Sequence, residues 1–551
     1  MEFHDAANFL FDLRRFHLRP GTAATADLLE HLGNPHEGVD CVQVAGSNGK
    51  GSTARMVDSA LREAGLSVGL YTSPHLDDVR ERIRIDGRKL PKAALVEFVE
   101  SIEPYATDRA ADGDAPTFFE TLTALALWAF DRQDVDVAIL EVGIGGWYDA
   151  TSVVDPVASA VTTVSLEHTD VLGETVEEIA RDKAHVAPAD RPLVCGATGA
   201  ARDAIADEAG PVLTVGDADE DVTVSYGGRD GLEGAVTVES AAGTVETHLP
   251  LLGEHQAHNA GIAVTLTRQI GDVASVDVGA DAIARGLRNA HWPGRFEVMG
   301  REPLVVLDGA HNPRGCERVV ATLSEFEAGD LHVVAGVMTD KDLRGIAAAL
   351  SDADHVVACQ PDRDRAEVRD VVARAFERET DARVESRSDV AGALALALES
   401  AGPEDCVLVT GSLYTVGEAR QRWARTMVPK RADSVSEARA VIEGTDVTEA
   451  GAWRMRGKAV HRLLKARVQP RQAQYLKEEL LSLGGECAIS GLNDQDEERL
   501  DVVMMGTMAQ FRRLIEKLDG QPYGLAVFGD ELRTVLGIGV EPDSRGYPWE
   551  D

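Results

Sequence analysis

Residues 41–53 read CVQVAGSNGKGST, and this stretch decides the fold. The apolar run Val39–Val44 enters a Gly-rich turn, and Ser52–Ala64 then carries a helical pattern, giving the strand, loop and helix of an α/β unit. Between them lie Gly46, Ser47, Asn48, Gly49, Lys50, Gly51 and Ser52. Glycines without side chains let successive backbone N–H groups close around a triphosphate, Lys50 supplies positive charge for its β and γ oxygens, and Ser52 in the first helical turn puts a hydroxyl within reach of Mg²⁺. Only two residues separate Gly46 from Gly49, a shorter spacing than the usual phosphate loop. A Gly-rich turn of purely structural use is the alternative, and the flanking strand and helix argue against it.

Outward from this loop, apolar runs recur at Ser67–Tyr71, Val135–Leu140 and Ala160–Leu166, with helical stretches such as Thr117–Phe130 between them. That alternation predicts a mainly parallel sheet covered by helices on both faces. From Asp217 to Leu252 the segments VTVSYGG, AVTVES and TVETHLP alternate in polarity, which predicts antiparallel strands at the domain edge. Helical periodicity returns at Gln256–Gln269. A second α/β unit begins near Pro293, with candidate strands at Leu304–Leu307, Leu331–Ala335, His355–Ala358 and Cys406–Thr410. After Pro429 the polar stretch KRADSVSEARAVIEGT opens a third segment, with a helix over Arg471–Leu483, a strand over Asp501–Met505 and a helix over Met508–Leu518; the terminal PDSRGYPWED is polar and expected to fray. The expected domains are 1–293, 294–429 and 430–551, consistent with 551 residues being too many for one core.

Lys and Arg total 55 against 93 Asp and Glu, a net charge of -38, and only ten of the cations are Lys. Acidic charge spread along the whole chain implies a solvated surface suited to a high-salt cytoplasm, where repulsion is screened; an ordinary acidic enzyme is the alternative. No concentrated positive face is visible, which disfavours bulk nucleic-acid binding. The six Cys are scattered without CxxC spacing and read as buried apolar side chains in a reducing compartment. No run approaches the ~20 apolar residues that span a bilayer, and the amino terminus lacks the apolar core of a signal peptide. The expectation is a cytoplasmic protein without a membrane partner.

The segments AGSNGKGST and YTSPHLDDVRERI resemble the Mur ligase superfamily, in particular its folylpolyglutamate synthase and dihydrofolate synthase branch. TFFETLTALA (117–126), EVGIGGWYDATS (141–152), LEHTDVLGETVEEIARDKA (166–184), GEHQAHNA (253–260), WPGRFE (292–297), LDGAHNPRG (307–315), GVMTDKD (336–342) and GSLYTVGEA (411–419) follow in family order. The resemblance implies an α/β fold: a P-loop ATPase domain with a mainly parallel sheet, a smaller Rossmann-like α/β domain, an active site in the cleft between them, and here an additional small α/β module. It assigns Ser73, Glu141 and His168 to metal sites, beside the Ser52 hydroxyl already read from the loop. It also implies that Lys183 matches a position carbamylated in some members, that Arg295 reaches the nucleotide phosphates across the cleft, and that Asn259, Asp308 and His311 hold ATP and couple it to the second domain. Catalytic roles accordingly fall to Lys50, Glu141, His168, Lys183 and Arg295.

Residue chemistry agrees. Glu141 ends an apolar strand, at the carboxyl edge where open sheets bind ligands, and its carboxylate is a hard ligand for Mg²⁺. Asp308 and His311 occupy the first strand-to-helix connection of the second unit, another such address. A capping glutamate, a packed histidine and a surface arginine are the bland alternatives for Glu141, His168 and Arg295.

The implied cofactors are ATP and Mg²⁺, with K⁺ as a further candidate; the implied substrates are L-glutamate and either dihydropteroate or a reduced folate. The alternatives are a Mur-type ligase for another carboxylate, or an ATP-binding scaffold of folate synthesis with weak or absent turnover. Three positions depart from the family pattern: Trp147 stands where Arg is usual, Glu167 where Asp precedes the histidine, and His185 where Gly follows KA. Finally, Leu463–Leu525 resembles the segment preceding the barrel in some dihydropteroate synthases, which implies a fused or associated dihydropteroate synthase barrel as a partner.

Overall fold

A computed structural model describes residues 1–16, 21–188, 190–423, 432–443, 447–490 and 499–538, and the chain divides into two compact units, Met1–Arg425 and Thr426–Asp551. The expected boundary at 429/430 and the polar terminus lie outside the described residues.

The first unit is built on two sheets. The larger has eleven strands: β1 Cys41–Ala45, β2 Val68–Tyr71, β3 Ile83–Ile85, β4 Arg88–Lys89, β5 Val137–Glu141, β6 Ala158–Val161, β7 Leu193–Cys195, β8 Val212–Gly216, β9 Val222–Asp230, β10 Glu233–Ser240 and β11 Gly243–Leu249, in spatial order β11-β10-β9-β8-β7-β6-β1-β5-β2-β3-β4. From β9 across to β2 every neighbouring pair is parallel. The β2–β3 and β3–β4 pairs at one edge, and the β9–β10 and β10–β11 pairs at the other, are antiparallel.

Successive residues of a strand face opposite sides, so a centrally buried strand must be apolar throughout. In β1 and β5, Val42, Val44, Val137 and Ile139 join the core under the helices Lys50–Glu63 and Glu254–Ala274, while Cys41, Ala138 and Leu140 join the core under Phe118–Arg132. Both strands are buried along their whole length.

One expected strand is shorter than its sequence suggested. The run Ala160–Leu166 is a strand only to Val161: Thr162 N still donates to Ala45 O of β1 at 2.9 Å, but the Thr162 and Thr163 hydroxyls and Thr163 O turn to Ser47 and Asn48 of the phosphate loop. The antiparallel excursion expected over 217–252 is present and joins the main sheet through the β8–β9 pair.

The second sheet contains β12 Glu297–Arg301, β13 Leu304–Leu307, β14 Leu331–Ala335, β15 His355–Ala358, β16 Arg383–Ser386 and β17 Cys406–Thr410, ordered β12-β13-β17-β14-β15-β16. It is parallel except for the β12–β13 hairpin. Its two cores alternate along the strands, with Val306, Val333 and Val356 on one side and Leu307, Val334 and Val357 on the other.

In the second unit β18 His461–Val468, β19 Glu486–Ile489 and β20 Leu500–Thr507 form an antiparallel sheet ordered β18-β20-β19. Helices Pro470–Ser482, Met508–Leu518 and Leu525–Val535 cover one face through Leu476, Leu480, Phe511, Leu514 and Leu532. The sequence reading found the central strand and two of these helices. It passed over β18, in which exposed Leu463, Lys465 and Arg467 blur the polar half of the alternation. No helix among the described residues is long and apolar enough to cross a membrane, and all six Cys are free and buried.

Candidate active site

The phosphate loop leaves the carboxyl end of β1 and is fixed by the chain that leaves β6 beside it. Ser47 N donates to Thr163 O at 2.6 Å, Thr162 Oγ1 donates to Asn48 O at 2.8 Å, and Ser165 N donates to Ser47 Oγ at 3.0 Å. At two positions only glycine fits. A Cβ on Gly46, where φ is 137°, would lie 2.0 Å from Thr162 Oγ1, and one on Gly49, where φ is 96°, would lie 2.3 Å from Asn259 Oδ1. Lys50 Nζ donates to Gly46 O at 2.8 Å, folding its ammonium back over the loop. The helix Lys50–Glu63 starts here, so its free N–H groups and its dipole point into the same space.

Around this loop is a cavity of about 280 Å³ lined by Ser47, Asn48, Gly49, Lys50, Gly51, Ser52, Ser73, Glu141, His168, Asn259, Arg295, Asp308 and His311. Every residue proposed from sequence for nucleotide or metal lines it, except Gly46, which supports the loop from behind, and Lys183. The 2%-exposed Lys183 side chain instead donates to Glu167 Oε1 at 2.8 Å. Burial would raise the Glu167 carboxyl, but Lys183 first and Lys50 next bring it down to about 2, so it is ionised. Burial also lowers the Lys183 ammonium against the pull of Glu167.

Glu141 is 6% exposed, and its Oε2 accepts the Ser73 amide at 2.8 Å. Burial raises its pKa, opposed by Lys50, the Ser73 amide, Arg295 and Arg82. His168 has a left-handed backbone (φ 47°), and desolvation lowers its pKa, which favours the neutral imidazole that ligates metal. Among the described residues no group of three or more His, Cys, Asp or Glu could hold a metal by itself. The donor set of the Ser52 and Ser73 hydroxyls, the Glu141 carboxylate and the His168 imidazole therefore suits Mg²⁺ that takes its remaining ligands from phosphate and water. The Asn48 side chain fits a nucleotide: its Oδ1 accepts from Asn312 Nδ2 at 3.1 Å, while its Nδ2 is buried without a partner.

The opposite wall comes from the second sheet. Asp308, at the end of β13, is 8% exposed and accepts the amides of Phe296 at 2.7 Å and Ala310 at 2.8 Å. These bonds tie down the turn that carries Arg295, and a Cβ on Gly309 would fall 2.8 Å from Arg295 Nη1. Burial raises the Asp308 carboxyl, opposed by Arg295. His311 is lowered to about 4 by burial and its ring contacts Gly309 O at 3.0 Å. At the far end, Asn259 Nδ2 donates to Gln256 Oε1 at 3.0 Å, beside His255 and Arg318.

A second cavity of about 390 Å³ adjoins the first. Part of its wall is apolar or aromatic (Phe119, Ile144, Tyr148) beside buried Asp149, and another part is cationic (Arg82, Lys341, Arg365). The two cavities share Ser73, Pro74, Gly143, His168, His311 and Leu413. Arg82, Arg365, Asn312, Arg318 and His255 were not singled out from sequence. Arg82, Asn312 and His255 sit inside quoted motifs, whereas Arg318 and Arg365 are ordinary arginines until folding groups them.

The profile of the Mur ligase middle domain matches residues 44–267, and that of the Mur ligase glutamate ligase domain matches 294–413. A probable bifunctional folylpolyglutamate synthase/dihydropteroate synthase of Halobacterium salinarum is 60% identical over 554 residues, spanning 100% of this chain and 67% of that one. The folylpolyglutamate synthase of Lacticaseibacillus casei is 35% identical over 428 residues, 75% of this chain and 98% of that one. Among solved structures, E. coli FolC in complex with DHPP and ADP is 31% identical with a TM-score of 0.67, covering 76% of this chain and 97% of its own. Mycobacterium tuberculosis folylpolyglutamate synthase with ADP and AMPPCP is also 31% identical, with a TM-score of 0.71, covering 78% of this chain and 100% of its own. With the phosphate loop, the opposed arginine and the adjoining cavity in one unit, and with these matches, the chain belongs to the folylpolyglutamate synthase/dihydrofolate synthase family of ATP-dependent Mur ligases.

Proposed function

We propose that this ligase joins L-glutamate to dihydropteroate, to folates already carrying glutamate, or to both, through an acyl phosphate. The observation that carries this reading is the shared wall of the two cavities. A carboxylate placed there by an acceptor in the larger cavity lies next to the end of a triphosphate gripped by the loop.

A carboxylate resists amines because attack must expel oxide. Transfer of the γ-phosphoryl group to one carboxylate oxygen releases ADP and leaves an acyl phosphate. The glutamate amine then bonds to the acyl carbon, loses a proton, and phosphate leaves with the electrons of the broken C–O bond. Ser52, Ser73, Glu141 and His168 would hold Mg²⁺, which would supply compensation for the phosphate charge. Lys50 and Arg295 face the transferring group from opposite walls, and Asp308 holds the arginine's turn. The apolar end of the larger cavity suits a flat heteroaromatic ring, with Asp149 to accept its N–H groups, while Lys341, Arg365 and Arg82 suit the carboxylates of glutamate. Lys183 acts through Glu167, beside His168, and orders that side of the metal site.

We assign 1–293 to the ATPase domain, 294–429 to the Rossmann-like domain and 430–551 to an accessory module that supports or docks a dihydropteroate synthase. The Halobacterium salinarum relative and a Haloferax volcanii relative 56% identical to this chain match all of it, the accessory segment included, and both are named as bifunctional with that activity. The acidic surface is read as a cytoplasmic protein of high salt.

Phosphate release measured with ATP, Mg²⁺ and glutamate in molar KCl tests the reading. Release and an amide product are expected with dihydropteroate or tetrahydrofolate; tight ATP binding with neither product would defeat it.

A further inference from the structure

Trp147 is unusual for so polar a surface. It is 55% exposed, next to Tyr148 at 43%, and Leu166 and Val171, exposed by 60% and 47%, flank Glu167 and His168 on the facing segment. These segments meet: a Cβ on Gly145 would come within 2.7 Å of Leu172 and 2.0 Å of Asp182 Oδ1. Gly146 lies closer still to the backbone of helix Val176–Ala184, where a Cβ would be 2.5 Å from Asp182 O, and its amide donates to Asp182 Oδ1 at 2.7 Å. With no side chain at either position, this stretch lies flat on the carboxyl end of that helix. Trp147 then reaches over His185, the residue following the helix, with ring centroids 4.3 Å apart at 55°. The next two residues, Tyr148 and Asp149, form wall of the larger cavity, and Asp149 Oδ2 accepts the Ile144 amide at 2.8 Å.

Trp147 and His185 are also two of the three departures from the family's pattern. In the fold these two departures are a single contact.

We propose that Trp147 and His185 form a clasp that holds loop 143–149 on the helix and so positions Tyr148 and Asp149 for the acceptor, a non-ionic contact standing where an arginine is usual. The physical reason is salt. At 1 M the screening length is about 3 Å and an exposed ion pair contributes little, whereas an aromatic contact depends on apolar area and ring geometry, which salt does not screen. Trp147 is thus a positioning residue, and the identity of the acceptor it serves rests on the proposed function.

The test compares W147A, W147F, H185A and W147A/H185A with the wild type in 1 M and 3 M KCl. In W147A the KM for dihydropteroate or tetrahydrofolate is expected to rise roughly five- to tenfold, with kcat and the KM for ATP changed less than about twofold. W147F should keep most of the wild-type value, the double variant should be no worse than W147A, and the ratios should be alike at both salt concentrations. Hydrogen exchange provides a readout independent of turnover: the Ile144 and Gly146 amides should exchange faster in W147A, and those of Ser47 and Asn48 should not. Additive losses in the double variant, equal changes in kcat and both KM values, or unaltered exchange at Ile144 and Gly146 would overturn the clasp. A wild type inactive on both acceptors would overturn the proposed function instead, and the exchange measurement would still decide the clasp.

Discussion

The two parallel sheets of the first unit both present ligand-binding groups at the carboxyl ends of their strands, but with different parts of the chain. The eleven-stranded sheet offers mainly backbone. Gly46 to Gly51 is a main-chain cradle fixed by Thr162 and Thr163, and its specificity lies in where side chains are missing. The six-stranded sheet offers side chains. Arg295, Asp308 and His311 stand on short turns after Gly294 and β13 and bring charge to the same cavity. A cradle of amides fits the shape of a triphosphate whether or not reaction occurs, whereas a cation reaching in from the opposite wall is suited to charge that develops during transfer.

That contrast is most severely tested by Arg295→Ala, which should leave ATP affinity within about tenfold while lowering kcat on the order of 10³-fold. Equal losses in both, read from a binding isotherm and single-turnover kinetics, would place Arg295 with the cradle in ground-state binding. Gly46→Ala should do the reverse. With φ at 137° and Thr162 Oγ1 in the way, the loop must shift, costing about 2–4 kcal/mol in nucleotide binding or folding; calorimetric titration with ADP and thermal unfolding would read it.

A pH-dependent effect crosses between the two walls. His255, on the helix behind the first sheet, is held down to about 3 by burial, and then by Arg318 and Arg295 of the second half. Its folded pKa lies below the unfolded value of 6.5, so the unfolded chain takes up the proton first. The stability it contributes is therefore complete above pH 6.5 and is lost as pH falls toward 3, by up to about 1.4 kcal/mol per pH unit. His255→Gln should flatten that part of the acid limb in denaturant titrations of the nucleotide-free protein. An unchanged slope would mean that burial, with Arg318 and Arg295, does not hold this imidazole below its ordinary value. The smallest effect is expected from Thr162→Val, which removes the hydroxyl bond to Asn48 O. Its cost of about 1 kcal/mol should raise the KM for ATP roughly fivefold without changing kcat.

Much of this site could be read along the chain because its signals are local. The spacing in GSNGKGS names a phosphate cradle without knowledge of anything distant, and Glu141 is marked by the apolar strand it terminates. The adjoining cavity could not be read that way. Arg82, Lys341, Arg365 and Tyr414 come from separate segments, and no spacing among them signals a common wall. The shortened β6 failed for a related reason: VTTVSL has the composition of a strand, yet its threonines turn to the neighbouring loop. Lys183 was found as a position, while its ion pair with Glu167 appeared only on folding.

The sequence by itself determined the α/β class, the strand, glycine-rich loop and helix around Gly46–Ser52, and a carboxylate at the end of an apolar strand, because backbone geometry and strand periodicity act over a few residues. Only the tertiary structure decided which side chains share a cavity, that the two adjoining cavities share Ser73, His168 and His311, and that Trp147 and His185 are in contact. Those facts depend on contacts between residues far apart in the chain, fixed by strand order and packing.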